Sequence, residues 1–197
     1  MALHATGDYL VTASHDNTWA FVDIRTGKVL SQVTNENVKA GYTAAKFHPD
    51  GLILGTGTGD SVVRVWDIKS QENVATFEGH QGKITSLAFS ENGFHLATAG
   101  QDNTVRLWDL RKLNNFHTIT LEGETTSVRF DYSGHFLGVG GADIRIFSTK
   151  QAGDTKQWDE VFQLKGHTNT VTDFEFSRDA HFVASAGLDR SLRIFGN

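Results

Sequence analysis

Phe89-Ser-Glu-Asn-Gly-Phe-His-Leu-Ala-Thr-Ala-Gly-Gln-Asp-Asn-Thr-Val-Arg-Leu-Trp-Asp109 holds the pattern that decides the fold. A strand ends at Phe89, a turn carries Gly93, and a second strand runs from Phe94 to Gly100. A tight turn at Asp102 leads to a third strand that closes on Trp108-Asp109. Short β-rich runs bounded by Gly, Asn and Asp read as antiparallel hairpins, because those residues supply turn conformations that others resist.

The same unit recurs along the chain. Leu3-His-Ala-Thr-Gly7, Phe47-His-Pro-Asp-Gly51, Phe89-Ser-Glu-Asn-Gly93, Phe130-Asp-Tyr-Ser-Gly134 and Phe176-Ser-Arg-Asp-Ala180 are spaced by 44, 42, 41 and 46 residues. Nine residues after each small turn residue stands an Asp: Asp16, Asp60, Asp102, Asp143 and Asp189. At Asp143 the match is nominal, since aligning Ile144 to Phe147 with Val105 to Trp108 needs a hairpin two residues shorter. A more variable fourth strand follows, as in Val74 to Phe77 and Phe116 to Leu121. Four short antiparallel strands in about forty residues make the blade of a β-propeller. Blades stack face to face, which explains large residues on both sides of Val62-Val-Arg-Val-Trp66.

The predicted fold is all-β, a partial propeller of about four and a half blades filling residues 1–197 as one domain. The chain begins near the second strand of an incomplete blade at 1–34. Blades follow at about 37–80, 83–123 and 125–166, then a last one at 171–197 without its outer strand.

Composition agrees with a packed, non-membrane, non-nucleic-acid protein. Of the residues, 39% are hydrophobic and 21% charged, with 14 Phe and 4 Trp, enough apolar area to offset the entropy of ordering. Twenty Gly against one Pro match many tight turns. The absence of Cys removes disulfides and thiolate metal sites together. No apolar run reaches membrane-spanning length, and Met1 to Gly7 lacks the regions of a signal peptide. A net charge of −5 exerts no pull on phosphate backbones, so no direct nucleic-acid partner is expected.

Gly79-His80 and Gly166-His167, set against Trp66-Asp67 and Trp108-Asp109 at blade ends, resemble the WD40 family. The resemblance implies a buried hydrogen-bonded tetrad: His80, Thr98, Asp102 and Trp108 in one unit, and His167, Ser185, Asp189 and Phe195 in another. Phe195 lacks the final donor. Partial sets are Thr56, Asp60 and Trp66, without a Gly-His, and Thr12 with Asp16; the fourth unit has Val139 in place of the hydroxyl. Such groups satisfy one another where each alone would be costly to bury.

His, Asp and hydroxyl together also look like a catalytic triad. Their recurrence in one register assigns them to the fold, because catalysis needs a constellation once and a blade needs it every time. No catalytic residue is assigned. The nine His show no ligand-like pairing, so no metal is expected. Gly55-Thr-Gly-Thr-Gly59 echoes a phosphate loop, but it lies in a hairpin and no Lys-Ser or Lys-Thr follows; no cofactor is expected. Arg64, Arg106, Arg145 and Arg193 share one third-strand position and read as architecture too.

Function is then sought in what varies between units. The Asp turns and the segments leading into each first strand present His15, Asn17, Gln101, Asn103, Leu188 and Arg190 with Lys83, Thr125 and Asn169. In WD40 proteins this is the usual partner-binding face. On the opposite face the connection Thr149 to Asp159, with Lys150, Lys156 and Trp158, is the largest departure from the repeat.

A narrower resemblance rests on Asp8 to Trp19, Phe47 to Gly57, Phe89 to Gly93, Leu107 to Phe116 and Leu188 to Phe195. These stretches are similar to the C-terminal propeller of spliceosome-associated U-box ubiquitin ligases. That implies a nuclear protein-interaction domain recruiting Nineteen complex components and ubiquitination substrates, in pre-mRNA splicing and the DNA-damage response. The U-box and the oligomerising coiled coil of that family lie N-terminal to this region, so the chain itself is expected to be no ligase. A complete ring of the family needs more blades than are counted here, so the chain reads as a fragment with two open strand edges. The competing reading is a generic WD40 scaffold or histone-tail reader outside splicing.

Overall fold

A computed structural model describes residues 1–149 and 158–196. Among them no helix occurs, and the regular elements form five antiparallel sheets in chain order. The first holds β1 (Ala2–Leu3), β2 (Tyr9–Ala13), β3 (Thr18–Asp23) and β4 (Val29–Thr34). The second holds β5 (Tyr42–Phe47), β6 (Ile53–Thr58), β7 (Val63–Asp67) and β8 (Asn73–Phe77). The third holds β9 (Ile84–Phe89), β10 (His95–Gly100), β11 (Thr104–Asp109) and β12 (Asn114–Thr120). The fourth holds β13 (Ser127–Phe130), β14 (Phe136–Gly140), β15 (Ile144–Ser148) and β16 (Glu160–Leu164), and the last β17 (Val171–Phe176), β18 (Phe182–Gly187) and β19 (Leu192–Gly196).

Each sheet is a meander, and the first strands of successive sheets adjoin: β1 with β5, β5 with β9, β9 with β13, β13 with β17. They are therefore the inner strands of a partial propeller. One difference from expectation lies at the start, where Ala2 and Leu3 pair with Val11 and Leu10 as a two-residue stub of an inner strand.

The core is divided into clusters, one between each pair of successive sheets. Val63 and Val65 meet Ile84, Leu87 and Phe89 on one side of β7, while Trp66 meets Trp19 and Tyr42 on the other. A strand buried on both faces has no solvated side, so its sequence does not alternate. Sheets approach closely where second strands are small. A Cβ on Gly57 would stand 2.4 Å from Ile84 Cγ2 and one on Gly55 2.9 Å from Phe89 Cζ, so these two glycines serve sheet-to-sheet contact.

A register shift recurs where the third strand meets the fourth: at Phe21/Val22, Val65/Trp66, Leu107/Trp108 and Ile146/Phe147. Such bulges add local twist just before the position that holds Trp66, Trp108 and Phe147, and Val22 in the first sheet. In the long connection, Lys150 and Lys156 lie outside the described residues. Trp158 precedes β16 and packs against Phe116, His117 and Phe130, stapling its sheet to the one before.

Candidate functional site

The polar chain of the third sheet is continuous. The Trp108 indole N–H donates to Thr98 Oγ1 at 2.8 Å, the Thr98 hydroxyl lies 2.8 Å from His80 Nε2, and His80 Nδ1 lies 2.9 Å from Asp102 Oδ2. An indole can only donate and a carboxylate only accept. Nδ1–H therefore donates to Asp102; burial disfavours the charged ring, so the imidazole is neutral and Nε2 accepts from Thr98. Asp102 also accepts from the Gln81 backbone N–H and the Thr104 hydroxyl, each at 2.8 Å. Burial holds the His80 pKa below its ordinary value against the opposing pull of Asp102. Burial would raise the Asp102 carboxyl, but its donors Gln81, Thr104 and His80 together outweigh that and lower it.

The last sheet repeats the arrangement with His167 Nδ1 2.9 Å from Asp189 Oδ2, Nε2 2.8 Å from Ser185 Oγ, and Ser191 in the place of Thr104. Phe195 pairs with Val183 in the register that Trp108 holds against Leu96, so the chain ends without an indole donor. The Asp189 carboxyl is likewise lowered: hydrogen bonds from Ser191, Thr168 and His167 outweigh the upward push of burial. Room for each imidazole comes from a glycine. A Cβ would stand 2.6 Å from His80 Nδ1 at Gly100 and 2.5 Å from His167 Nδ1 at Gly187.

The second sheet lacks the imidazole and fills its space differently. Val38 stands at the histidine register and Thr58 at the glycine register. Trp66 donates to Thr56 Oγ1 at 2.9 Å, while Asp60 accepts separately from the Thr58 hydroxyl, so Thr56, Asp60 and Trp66 form two pieces. In the first sheet Val22 occupies the indole position; Asp16 accepts from the Thr18 hydroxyl at 2.7 Å, and Thr12 has no tryptophan above it. The fourth sheet replaces the set with Leu121, Val139 and Phe147, packed in one apolar cluster. Asp143 instead lies 3.5 Å from Arg145 Nε and accepts from the Gln163 side-chain amide.

A second recurring device escaped the sequence reading. The hydroxyls of Thr43, Thr85 and Thr126 donate to the carbonyls of Ile84, Thr125 and Val171, each in the next sheet. Their spacings of 42 and 41 residues match the repeat, which is the signal that could have found them.

On the hairpin face the Gln101 N–H donates to Lys83 O and the Leu188 N–H to Thr170 O, so the Asp turns and lead-in segments share one side. His15, Gln101, Asn169, Leu188 and Arg190 are exposed, and Asn17, Lys83 and Asn103 are half-buried. Asn17, Ser61, Asn103 and Arg190 share one left-handed backbone position with φ of 60–70°, a conformation in which Asn is favoured among residues with a Cβ. Thr125 does not belong to this surface. It is 1% exposed, and its hydroxyl donates to Gly100 O at 2.8 Å, clamping two sheets together. Among the described residues no group of three or more His, Asp or Glu is placed to hold a metal ion.

The sequence profile described as "WD domain, G-beta repeat" matches residues 31–67, 71–109 and 158–196. Each match takes the fourth strand of one sheet with three strands of the next, and none covers β13–β15, where the polar set is replaced. Along 99% of its length the chain is 53% identical to pre-mRNA-processing factor 19 of Bos taurus, covering 38% of that protein. It is 51% identical over its whole length to the Oryza sativa subsp. japonica protein of the same name, covering 38% of it. For the Caenorhabditis elegans protein of that name identity is 46% over 99% of the chain, covering 39% of it. The chain thus spans under two-fifths of the length of these relatives.

Proposed function

Since the chain belongs to the WD40 repeat family, we propose that its hairpin face docks partner proteins. In the whole protein, those partners are components of the pre-mRNA splicing machinery and substrates of ubiquitination, met in the nucleus, with a further part in the DNA-damage response. The domain is one partial propeller and contributes recruitment; ligase chemistry belongs to a U-box that this chain does not contain. The carrying observation is a division of labour among polar groups. Those that recur are consumed inside the sheets, while His15, Gln101 and Leu188 differ at one shared register and stay exposed, Leu188 by 60%. Side chains that vary at one register and are used by no contact inside the sheets are the ones free to specify a partner. The splicing context draws support from the names of the relatives and from their identity along nearly the whole chain.

The test is affinity capture from nuclear extract with the chain and with a face variant, Q101E/L188D/R190E. The chain should retain spliceosomal proteins and the variant should lose them. An unchanged set on the variant refutes docking through this face. Capture of histones in place of splicing proteins would favour the scaffold or histone-tail reading. Purified chain supplied with ubiquitin, E1 and E2 should build no ubiquitin chains.

A further inference from the structure

A cavity of about 290 Å³ opens on the hairpin side of the fourth sheet, between Leu121, Glu122, Glu124, Val139, Asp143 and Arg145. The repeat explains why it is there. In the third sheet the His80 imidazole ties the lead-in segment to the hairpin through Asp102. In the fourth, Leu121 and Val139 stand in for imidazole and hydroxyl. The hairpin is also shorter: three residues separate the pair Gly140 and Ile144, against five between Ala99 and Val105. The tie is gone, and the space it filled remains.

The lining selects its occupant. Val139 is buried and Leu121 half-buried, giving an apolar floor; Glu122 and Glu124 stand exposed at the rim with Asp143 half-buried beside them. Arg145 is already held between carboxylates, 3.5 Å from Asp143 and 3.5 Å from Glu160, which leaves it little call on an anion. Three lining carboxylates against one guanidinium give a net charge of −2. The space lies at the lower end of the range of small-molecule sites, about 300 to 1,000 Å³, room enough for one long side chain. A long aliphatic stem ending in a cation lays its methylenes on an apolar floor and keeps its charge at the wet rim. Lysine does this with a compact ammonium that needs no planar, bidentate partner. We propose that this cavity takes a lysine side chain from a partner protein, an inference that rests on the hairpin face being the docking surface.

The experiment is an amide-resolved NMR titration of the full chain with Nα-acetyl-lysine methylamide. Shifts should concentrate at residues 122–124 and 141–145 and saturate. Exposed charges are screened by salt, so binding should weaken at least about fivefold between roughly 50 and 500 mM salt. The Nε-acetylated probe, which keeps the stem and loses the charge, should not bind. E122Q/E124Q, both on exposed side chains, should weaken the lysine probe at least about fivefold at unchanged melting temperature, and A142Y should block the mouth. Equal response to the acetylated probe, shifts elsewhere, or wild-type binding by E122Q/E124Q would overturn the proposal. Such a failure leaves the capture result above untouched, and a failed capture beside intact lysine binding would indict the docking reading alone.

Discussion

Replacing Thr98 by valine removes one hydroxyl, at nearly constant volume, from a position with 0% exposure. Two groups then lose their partner: the Trp108 indole N–H and His80 Nε2, each 2.8 Å from that oxygen. A buried polar group left unpaired costs about 1–3 kcal/mol, so the pair should cost about 2–6 kcal/mol. Taking about 4 kcal/mol as a central value, the melting midpoint of a domain this size should fall by roughly 8–16 °C. The second sheet supplies the control. Thr56 is equally buried, but no imidazole reaches it; Thr56→Val strands the Trp66 indole and removes a longer bond to the Arg64 carbonyl at 3.3 Å, and should cost less than Thr98→Val. Transplanting the apolar set of the fourth sheet, as H80L/T98V/W108F, removes the stranded groups together with their partners. Asp102 keeps its bonds from Gln81 and Thr104, so this variant should melt above Thr98→Val. Calorimetry or urea titration of the four proteins decides the matter. A Thr98→Val protein within about 0.5 kcal/mol of the parent, or no worse than Thr56→Val, would refute the assignment of the hydroxyl as the shared partner.

Other outcomes follow from the same geometry. Gly100→Ala puts a Cβ 2.6 Å from His80 Nδ1 and should cost about 1–3 kcal/mol by denaturant titration, whereas Thr58→Gly combined with Val38→His should install an imidazole in the second sheet at far less cost than Val38→His alone. Acid should destabilise the fold in two stages. His80 has a folded pKa below its ordinary 6.5, so the unfolded chain binds that proton first and stability declines as pH falls from 6.5 toward the folded value. Asp102 and Asp189, lowered from 3.8, withdraw their share as pH falls below that. Melting midpoints rising between pH 6.5 and 5 would contradict this, and H80L/T98V/W108F should lack the His80 portion of the first stage. On the inner strands Arg129, 17% exposed, holds Asp173 at 2.8 Å and Glu175 at 3.4 Å, both carboxylates more than half exposed. Solvent screening limits such a bridge to about 1 kcal/mol or less, so Arg129→Gln should melt slightly lower at low salt, and the gap should close as salt rises.

How much of this was legible in the chain depends on where the interacting groups sit. A propeller blade is a run of consecutive hairpins, so Gly93, Asp102 and Trp108 mark the strand ends within about twenty residues, and the repeat of these marks along the chain determined the all-β fold and the family. The imidazole–carboxylate pairs, His80 with Asp102 and His167 with Asp189, are 22 residues apart within one repeat, which is why their places are legible in the sequence. What lies between sheets was not legible in the same way. Thr125 reads as a surface residue of a lead-in segment, yet it is buried, and its hydroxyl donates to a carbonyl 25 residues upstream. The second unit visibly lacks a Gly-His, but that Val38 and Thr58, both buried, stand at the histidine and glycine registers follows only from the strand pairing. The cavity beside Leu121 and Val139 lies where a shortened hairpin and a missing imidazole coincide. Periodicity reports the conformation of neighbours along the chain; volume and hydrogen-bond satisfaction are settled between sheets roughly forty residues apart, where only close packing in three dimensions decides which group meets which.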